Sequence, residues 1–395
     1  MERKKFSDNE YVQTIYFNND EHTLPFDLSI KARRYLPRLP SHPVLDEGLY
    51  FLELKIDKGE YKQKVRMDAA KIINEEYSFL EKNLRPYILV EYHREHYTLK
   101  NQEKARVTID DNIKYFYLPP NQKKWILIGK EEDYARLEVK EKRSNKNFSI
   151  LIKKILEDFD VRPIISKRFT SYNFLNKYFL AKNKIHLYKE LNDCEIESKL
   201  EIKNKIDPET VFQEIKQYFK KNNSKFKLPK HFPRTLESAS INRYCKNKNG
   251  LFKISMKGDK MRIIFKSKKE ILKNSKKLTC ILKRKERKGD YFSIWSKSIE
   301  SAELLEEIKR KKKFFYIVNS LTKRFYQISL DYCYNYFNKN LRQIEIEYIG
   351  RSIKLKTAEE NKIVEDIAKI TEILLKKFPA LRPSQQTKEE WLRIK

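Results

Sequence analysis

Along roughly the first 170 residues, apolar and polar positions alternate with a period of two in short runs. These are Val12–Phe17, Leu28–Tyr35, Tyr50–Ile56, Tyr61–Met67, Ile88–Tyr97, Ala105–Ile109, Trp125–Ile128 and Ala135–Lys140. They are rich in Tyr, Val, Ile and Phe, and Pro, Asn, Asp or Gly separates them. The period predicts antiparallel strands. Helical spacing is rarer and predicts helices at Ala69–Glu81, Ile150–Phe159 and Tyr172–Ala181. Residues 183–194 lack an apolar stripe and read as a linker. The pattern then restarts with a strand at Glu195–Ile202. A helix follows at Pro208–Phe219, with Asp207 as N-cap and Pro208 in the first position. Further strands are expected at Leu251–Met256, Met261–Lys266, Leu278–Arg284, Tyr291–Ser296, Phe314–Val318, Arg324–Leu330 and Gln343–Ile349. A long helix, Ala358–Phe378, repeats Ile363, Ile367, Ile370 and Leu374 on one face and stops before Pro379. The expectation is an α+β chain of two β-rich domains, 1–182 and 195–395, each with a few peripheral helices.

Inside the strands the charges are ordered. Lys31 and Arg33 are two apart, as are Glu53 and Lys55, Lys64 and Arg66, Tyr92 and Arg94, Arg106 and Thr108, and Glu138 and Lys140. Residues i and i+2 of a strand share a face. One such pair is commonly a solvated outer face. Six in succession also suit a closed barrel with a charged interior. Buried charges need partners or a ligand of opposite sign, and a surplus of cations over Glu53, Glu138 and Asp110 calls for a polyanion. Glu53 and Glu138 suit a hard, oxygen-ligated divalent ion, Mg²⁺ or Mn²⁺.

Composition narrows the picture. The 395 residues carry 86 Lys+Arg against 55 Asp+Glu, a net charge of +31, of which +23 falls in residues 191–395. That balance implies an anionic partner and admits nucleic acid at the basic second half. With 7 glycines, none spaced as GxGxxG or GxxxxGK[ST], there is no Rossmann fingerprint and no P-loop. The cysteines Cys194, Cys245, Cys280 and Cys333 stand too far apart for a CxxC site. No apolar run reaches the length of a membrane span. The expectation is a soluble, cytoplasmic protein.

At this point the motifs resemble a known family. TIYFNN (14–19), SIKARRY (29–35), FLELK (51–55), KVR (64–66), YHREHY (92–97), ARVTID (105–110), RLEVK (136–140) and ISKRF (165–169) are similar, in order, to the VTC domain of polyphosphate polymerases. That domain belongs to the triphosphate tunnel metalloenzymes. The resemblance implies an antiparallel β tunnel, ATP as phosphoryl donor and a polyphosphate chain as acceptor. It assigns phosphate contacts to Lys31, Arg33, Lys55, Lys64, Arg66, Arg94, Arg106, Lys140, Ser166 and Lys167. It assigns metal binding to Glu138, with Glu53. The family opens on a Lys-bearing strand and a helical segment, whereas here Met1–Tyr11 precede Thr14, with Glu2 and Lys4 as a remnant. In the second half Glu195, Glu197 and Lys199 match the ExExK strand of the CYTH branch. Arg324, Glu345 and Glu347 resemble its closing strands, and Arg284 lies on a basic strand between. The fold expected is therefore two tandem tunnel domains.

Three functions follow from this reading. They are a polyphosphate polymerase, a triphosphatase acting on nucleoside triphosphate or polyphosphate, and a non-catalytic polyphosphate, nucleotide or nucleic-acid binder. Lesser signals are read plainly. His93 and His96, three apart on a strand, face opposite sides. YFYLPP (115–120) is a strand end and turn. The KRKKK run (309–313) is a solvated helix end.

Overall fold

The computed structural model describes residues 2–3, 10–19, 22, 24, 28–36, 51–57, 62–68, 84–99, 102–141 and, with short gaps, 164–392 except 274–279 and 290–302. The helices expected at Ala69–Glu81 and Ile150–Phe159 and the strand at Tyr291–Ser296 lie outside the described residues. The chain is mostly β with few helices, and every strand pairing among the described residues is antiparallel. It divides into two compact units, one of Met1–Asn19 and Thr23–Pro163, the other of Asp20–His22 and Ile164–Lys395.

The first unit holds β1 (Glu2–Arg3), β2 (Glu10–Asn18), β3 (Leu28–Leu36), β4 (Phe51–Asp57), β5 (Lys62–Asp68), β6 (Arg85–Leu99), β7 (Gln102–Tyr117), β8 (Ile126–Glu131) and β9 (Arg136–Glu141). They form one sheet in the order β5-β4-β3-β2-β6-β7-β8, with β1 on β6 and β9 on β7. Register explains its two faces. Ile15, Ala32 and Leu52 line up across β2, β3 and β4. With Phe17, Leu24, Ile30, Leu89, Phe116 and Trp125 they build the unit's apolar core. Each Leu, Ile or Phe side chain fully buried there contributes about 1.5–3 kcal/mol. The residues between them carry the charges.

The second unit holds α1 (Lys167–Lys182), β10 (Cys194–Ile202), α2 (Pro208–Lys221), β11 (Phe226–Lys227), β12 (Leu236–Asn247), β13 (Gly250–Lys257), β14 (Lys260–Lys266), β15 (Glu270–Lys273), β16 (Cys280–Gly289), β17 (Glu303–Asn319), β18 (Arg324–Tyr334), β19 (Asn340–Arg351), α3 (Glu360–Lys377), β20 (Leu381–Ser384) and α4 (Lys388–Leu392). Its sheet closes on itself. The ring runs β16-β14-β13-β12-β17-β18-β19-β10 and returns from β10 to β16, eight antiparallel strands without a free edge. The barrel is inverted in polarity. On β10 and β19, Ile196, Leu200, Ile344 and Ile346 point outward beneath α3, while the glutamates between them point inward. Asp207 caps α2 as expected: the Thr210 N–H donates to its Oδ2 at 2.9 Å.

Two expectations change here. Helix α1 belongs to the second unit, where it packs on β12. The segment read as a linker is anchored, because Tyr188 bridges to Arg351 and Glu190 is buried in an ion pair.

Candidate active site

In the first unit the register brings the expected cations onto one face. Lys31 stands opposite Glu53, Arg33 opposite Thr14, Arg94 opposite Asp110, and Thr108 opposite Glu138. A solvated outer face would leave these groups in water. Instead Lys31 is 8% exposed, Glu53 3%, Arg94 5% and Asp110 0%. Lys31 Nζ lies 2.6 Å from Glu53 Oε1. Burial, with Arg33 adding, pushes the Lys31 amine down to about 7, against the pull of Glu53. Arg33 Nε donates to Thr14 Oγ1 at 3.1 Å. Arg94 forks onto Asp110, 2.5 and 2.7 Å, and stacks on Tyr92. Glu138 is exposed and its carboxylate lies 4.0 Å from Arg94 Nη2. Lys55 is half-buried. Lys64 and Arg66 pair in register with Lys55 and Glu53, and Lys140 with Arg106; the side chains of these four lie outside the described residues. Ser166 and Lys167 do not join this sheet, because Ser166 caps α1 and Lys167 opens it, both in the second unit.

The second unit gathers its charges inside the ring. Glu195, Glu197, Lys199, Arg284, Glu345 and Glu347 all line one cavity of about 170 Å³. β10 and β19 set the carboxylates side by side, Glu197 opposite Glu347 and Lys199 opposite Glu345. Lys199 Nζ sits 3.0 Å from both Glu197 and Glu345. The neighbouring walls bring further groups to these six. Lys266 reaches Glu195 at 2.9 Å and Glu286 at 2.5 Å. Arg284 reaches Glu389 at 2.7 Å. Arg310 reaches Glu345 at 2.9 Å and also pairs with Asp331. Lys312 approaches Glu347 at 3.8 Å. Lys253 also lines the cavity, and no ion pair holds its amine among the described residues. A second cavity of about 190 Å³ shares Arg310 with the first and adds Lys312, Phe314, Gln327, Ser238 and Ser240.

The protonation balance inside the ring is uneven. Burial pushes the Glu197 carboxyl up to about 7, with Glu195 and Glu345 adding and Lys199 opposing. Burial likewise raises Glu347, with Glu195 and Glu345 adding and Lys312 opposing. Glu345, touched by three cations, is held well below the usual carboxylate range despite its burial. Burial and Lys266 push the Lys253 amine down to about 7.

Two expectations are corrected. Arg324 is not in this cavity. It faces the outside of the ring at 0% exposure, gripping Glu190 at 2.9 and 3.0 Å and Glu359 as well. The KRKKK run is not a helix end. It lies on β17, with Arg310 and Lys312 turned inward and Lys313 buried outside against Glu209 at 2.8 Å. His93 pairs with Asp111 and His96 with Glu10, so they share no partner. The YFYLPP segment ends β7 and enters a turn, as expected. Among the described residues, no helix is long and apolar enough to cross a membrane.

Comparison with known proteins adds the following. No curated protein matches the chain. Similar solved structures include the PH1819 protein of Pyrococcus horikoshii OT3, at 16% identity, covering 43% of this chain and 85% of that one, with a TM-score of 0.24. The Pct1 RNA triphosphatase of S. pombe matches in two structures. In complex with the Spt5 CTD it is 12% identical, covers 54% of this chain and 91% of that one, and has a TM-score of 0.27. Alone it covers 54% and 90%, at 12% identity and a TM-score of 0.25. All three likenesses are distant. The family model of the VTC domain matches residues 68–176, so the stretch from the end of β5 to the middle of α1 is similar to VTC domains.

Proposed function

We propose that the chain is a metal-dependent triphosphate-processing enzyme of two tandem tunnel domains, α+β in class, with the closed ring of the second unit hydrolysing a terminal phosphate. The observation that carries this reading is the ring interior. Four glutamates on the adjacent strands β10 and β19 face Lys253, Lys266, Arg284 and Arg310 on the other walls. The donor chemistry fits a divalent ion of the Mn²⁺ or Mg²⁺ type. Glu197 and Glu347 are hard oxygen donors directly opposite each other, and burial, with the neighbouring glutamates adding, raises both carboxyls. Among the described residues no group of three or more His, Cys, Asp or Glu side chains is placed to hold a metal ion; Glu197 and Glu347, opposite each other on β10 and β19, are the pair that would hold it. When bound, the ion neutralises phosphate oxygens.

The chain's own residues do the rest. Arg284 and Arg310 offer forked N–H groups to phosphate, and Lys253 and Lys266 offer point charges. They position the triphosphate and stabilise the charge that develops as water attacks the terminal phosphorus. The bond to the bridging oxygen breaks, its electron pair stays on the departing diphosphate, and the proton of water goes to solvent. Hydrolysis is favoured over chain growth here because one end of the ring is filled. Trp391 packs among Tyr244, Leu251, Ile308, Cys333 and Leu341, and Lys388 and Glu389 line the cavity. A growing polymer has to pass through; a terminal triphosphate has only to enter.

The VTC match supports a second reading, ATP-driven polyphosphate synthesis on the first unit's cationic face with Glu138 as metal ligand. One assay separates the two. The full chain is incubated with ATP or inorganic triphosphate and Mn²⁺, and its products are resolved. Orthophosphate lost in Glu347→Gln and kept in Glu138→Gln supports the first reading. Long-chain polymer lost in Glu138→Gln supports the second. No turnover with salt-sensitive binding leaves a binding protein.

A further inference from the structure

The strand ends away from α4 carry an exposed apolar tip. Trp391 packs near the start of β17 and β19 and the end of β18; at their other ends β17 turns into β18 over Asn319–Lys323, and β19 finishes alongside, with Arg351 opposite Arg324. The Ser352 N–H donates to the Lys323 carbonyl at 3.1 Å, and Tyr188 and Arg351 exchange backbone hydrogen bonds of 2.8 and 2.9 Å. Three chain segments are thus tied together here. Among the described residues eight large apolar side chains are exposed, and Leu321 at 75% and Ile353 at 51% lead them, with Tyr188 at 45%. Exposed apolar residues scattered singly are ordinary, but here the two most exposed meet a third at one place. The turn that carries Leu321 is pinned. Asn319 is buried, its Oδ1 accepts from the N–H groups of Leu321 at 3.0 Å and Thr322 at 3.3 Å, and its Nδ2 donates to Asp366 at 2.7 Å. The N–H and Oγ of Ser320 both donate to the Lys225 carbonyl, at 2.9 and 3.1 Å. A rigid turn therefore holds Leu321 out in water.

The charge on the same segments is positive. Lys189, Lys323 and Lys354, each next or next but one in sequence to an apolar residue of the tip, are exposed. The carboxylates beside Arg351, Glu190 and Glu359, are engaged with Arg324 and Arg351. An apolar tip flanked by lysines suits a fluid surface that is anionic outside and apolar within. A folded partner would have to cover about 800 Å² on each side for a stable interface, which three side chains do not supply. We propose that this tip docks the chain on an anionic lipid bilayer. Leu321 and Ile353 enter the acyl boundary, Tyr188 lies at headgroup level, and Lys189, Lys323 and Lys354 meet the anionic headgroups. Docking of this kind needs no membrane-spanning helix and does not depend on the chemistry inside the ring.

A net charge of +31 also favours plain adsorption to anionic lipid, and uncharged substitutions separate the two. Full-length protein is floated with vesicles of equimolar phosphatidylserine and phosphatidylcholine. Leu321→Ser combined with Ile353→Ser lies at exposed positions and leaves the charge unchanged. It should lower the partition coefficient by about tenfold or more. In vesicles with brominated acyl chains, Leu321→Trp should lose a larger fraction of its fluorescence than the parent does. A double variant that floats like the parent would reduce the binding to adsorption and overturn the proposal. So would a parent that fails to float, or equal quenching of Leu321→Trp and the parent.

Discussion

Glu197 and Lys253 share one cavity, and both are held near neutrality by burial. Their charges are therefore set by what binds. Because the folded state raises the Glu197 pKa, its contribution to stability is present at acid pH and is lost as pH rises through about 7. A divalent ion needs the carboxylate, so below about 7 its binding releases a proton. Mn²⁺ affinity should then climb about tenfold per pH unit up to about pH 7 and level off above it. The thermal shift produced by Mn²⁺ should accordingly be larger at pH 8 than at pH 6, and Glu197→Gln should remove the difference; equal shifts at both pH values in the parent would refute this. Lys253 works in the opposite sense. A bound polyanion favours its charged form, so triphosphate binding near pH 7.5 should take up a proton. Calorimetry in buffers of differing ionisation heat reads that uptake. Lys253→Met should abolish it and weaken binding about tenfold, as expected for loss of one charge-assisted contact.

Strands whose apolar side faces outward give these sheets their legibility. EIESK and QIEIE alternate cleanly, because Ile lies under a helix and Glu faces the cavity, and the sequence pattern placed all four glutamates on one face. β17 hid its role because both of its faces carry charge: Arg310 and Lys312 turn inward, and Lys313 is buried outside against Glu209. Five cations in a row leave no period to read. Lys388 and Glu389 could not be found locally at all, since only the docking of α4 brings them in. Arg324 is different, because its place could be read from the sequence. It is seven residues from Asp331, an odd number, so parity alone puts the two on opposite faces of β18. Its task is structural, pinning the buried Glu190 and the segment before α3. Arg324→Met should leave Glu190 buried without its main partner and destabilise the chain by about 3–5 kcal/mol. Urea unfolding measures that loss, while Mn²⁺ affinity of the folded variant should match the parent; a variant of parental stability would show the knot to be dispensable.

Charge over the whole molecule separates gripping from steering. The cavity that holds the four glutamates is lined by Lys199, Lys253, Lys266, Arg284, Arg310 and Lys388, and by Glu195, Glu197, Glu286, Glu345, Glu347 and Glu389. Fully ionised, these twelve sum to zero. A neutral lining cannot balance a triphosphate, which is why the functional reading requires a divalent ion. The surplus of +23 in residues 191–395 consequently belongs to positions other than this lining. Charges outside the cavity act on an approaching anion at a distance, raising the rate of encounter without touching the bound phosphates. Such attraction is screened by salt, with a Debye length of about 10 Å at 0.1 M and about 3 Å at 1 M. Contacts within the cavity, short and partly desolvated, are screened much less. The two contributions therefore part in a salt series at saturating Mn²⁺. Between 0.05 and 0.5 M salt, kcat/KM for inorganic triphosphate should fall by about tenfold or more, while kcat, measured on substrate already seated, should hold within about twofold. A kcat/KM that does not respond to salt would mean that the surplus plays no part in capture. A kcat that falls in parallel would place the salt-sensitive charges in the cavity itself.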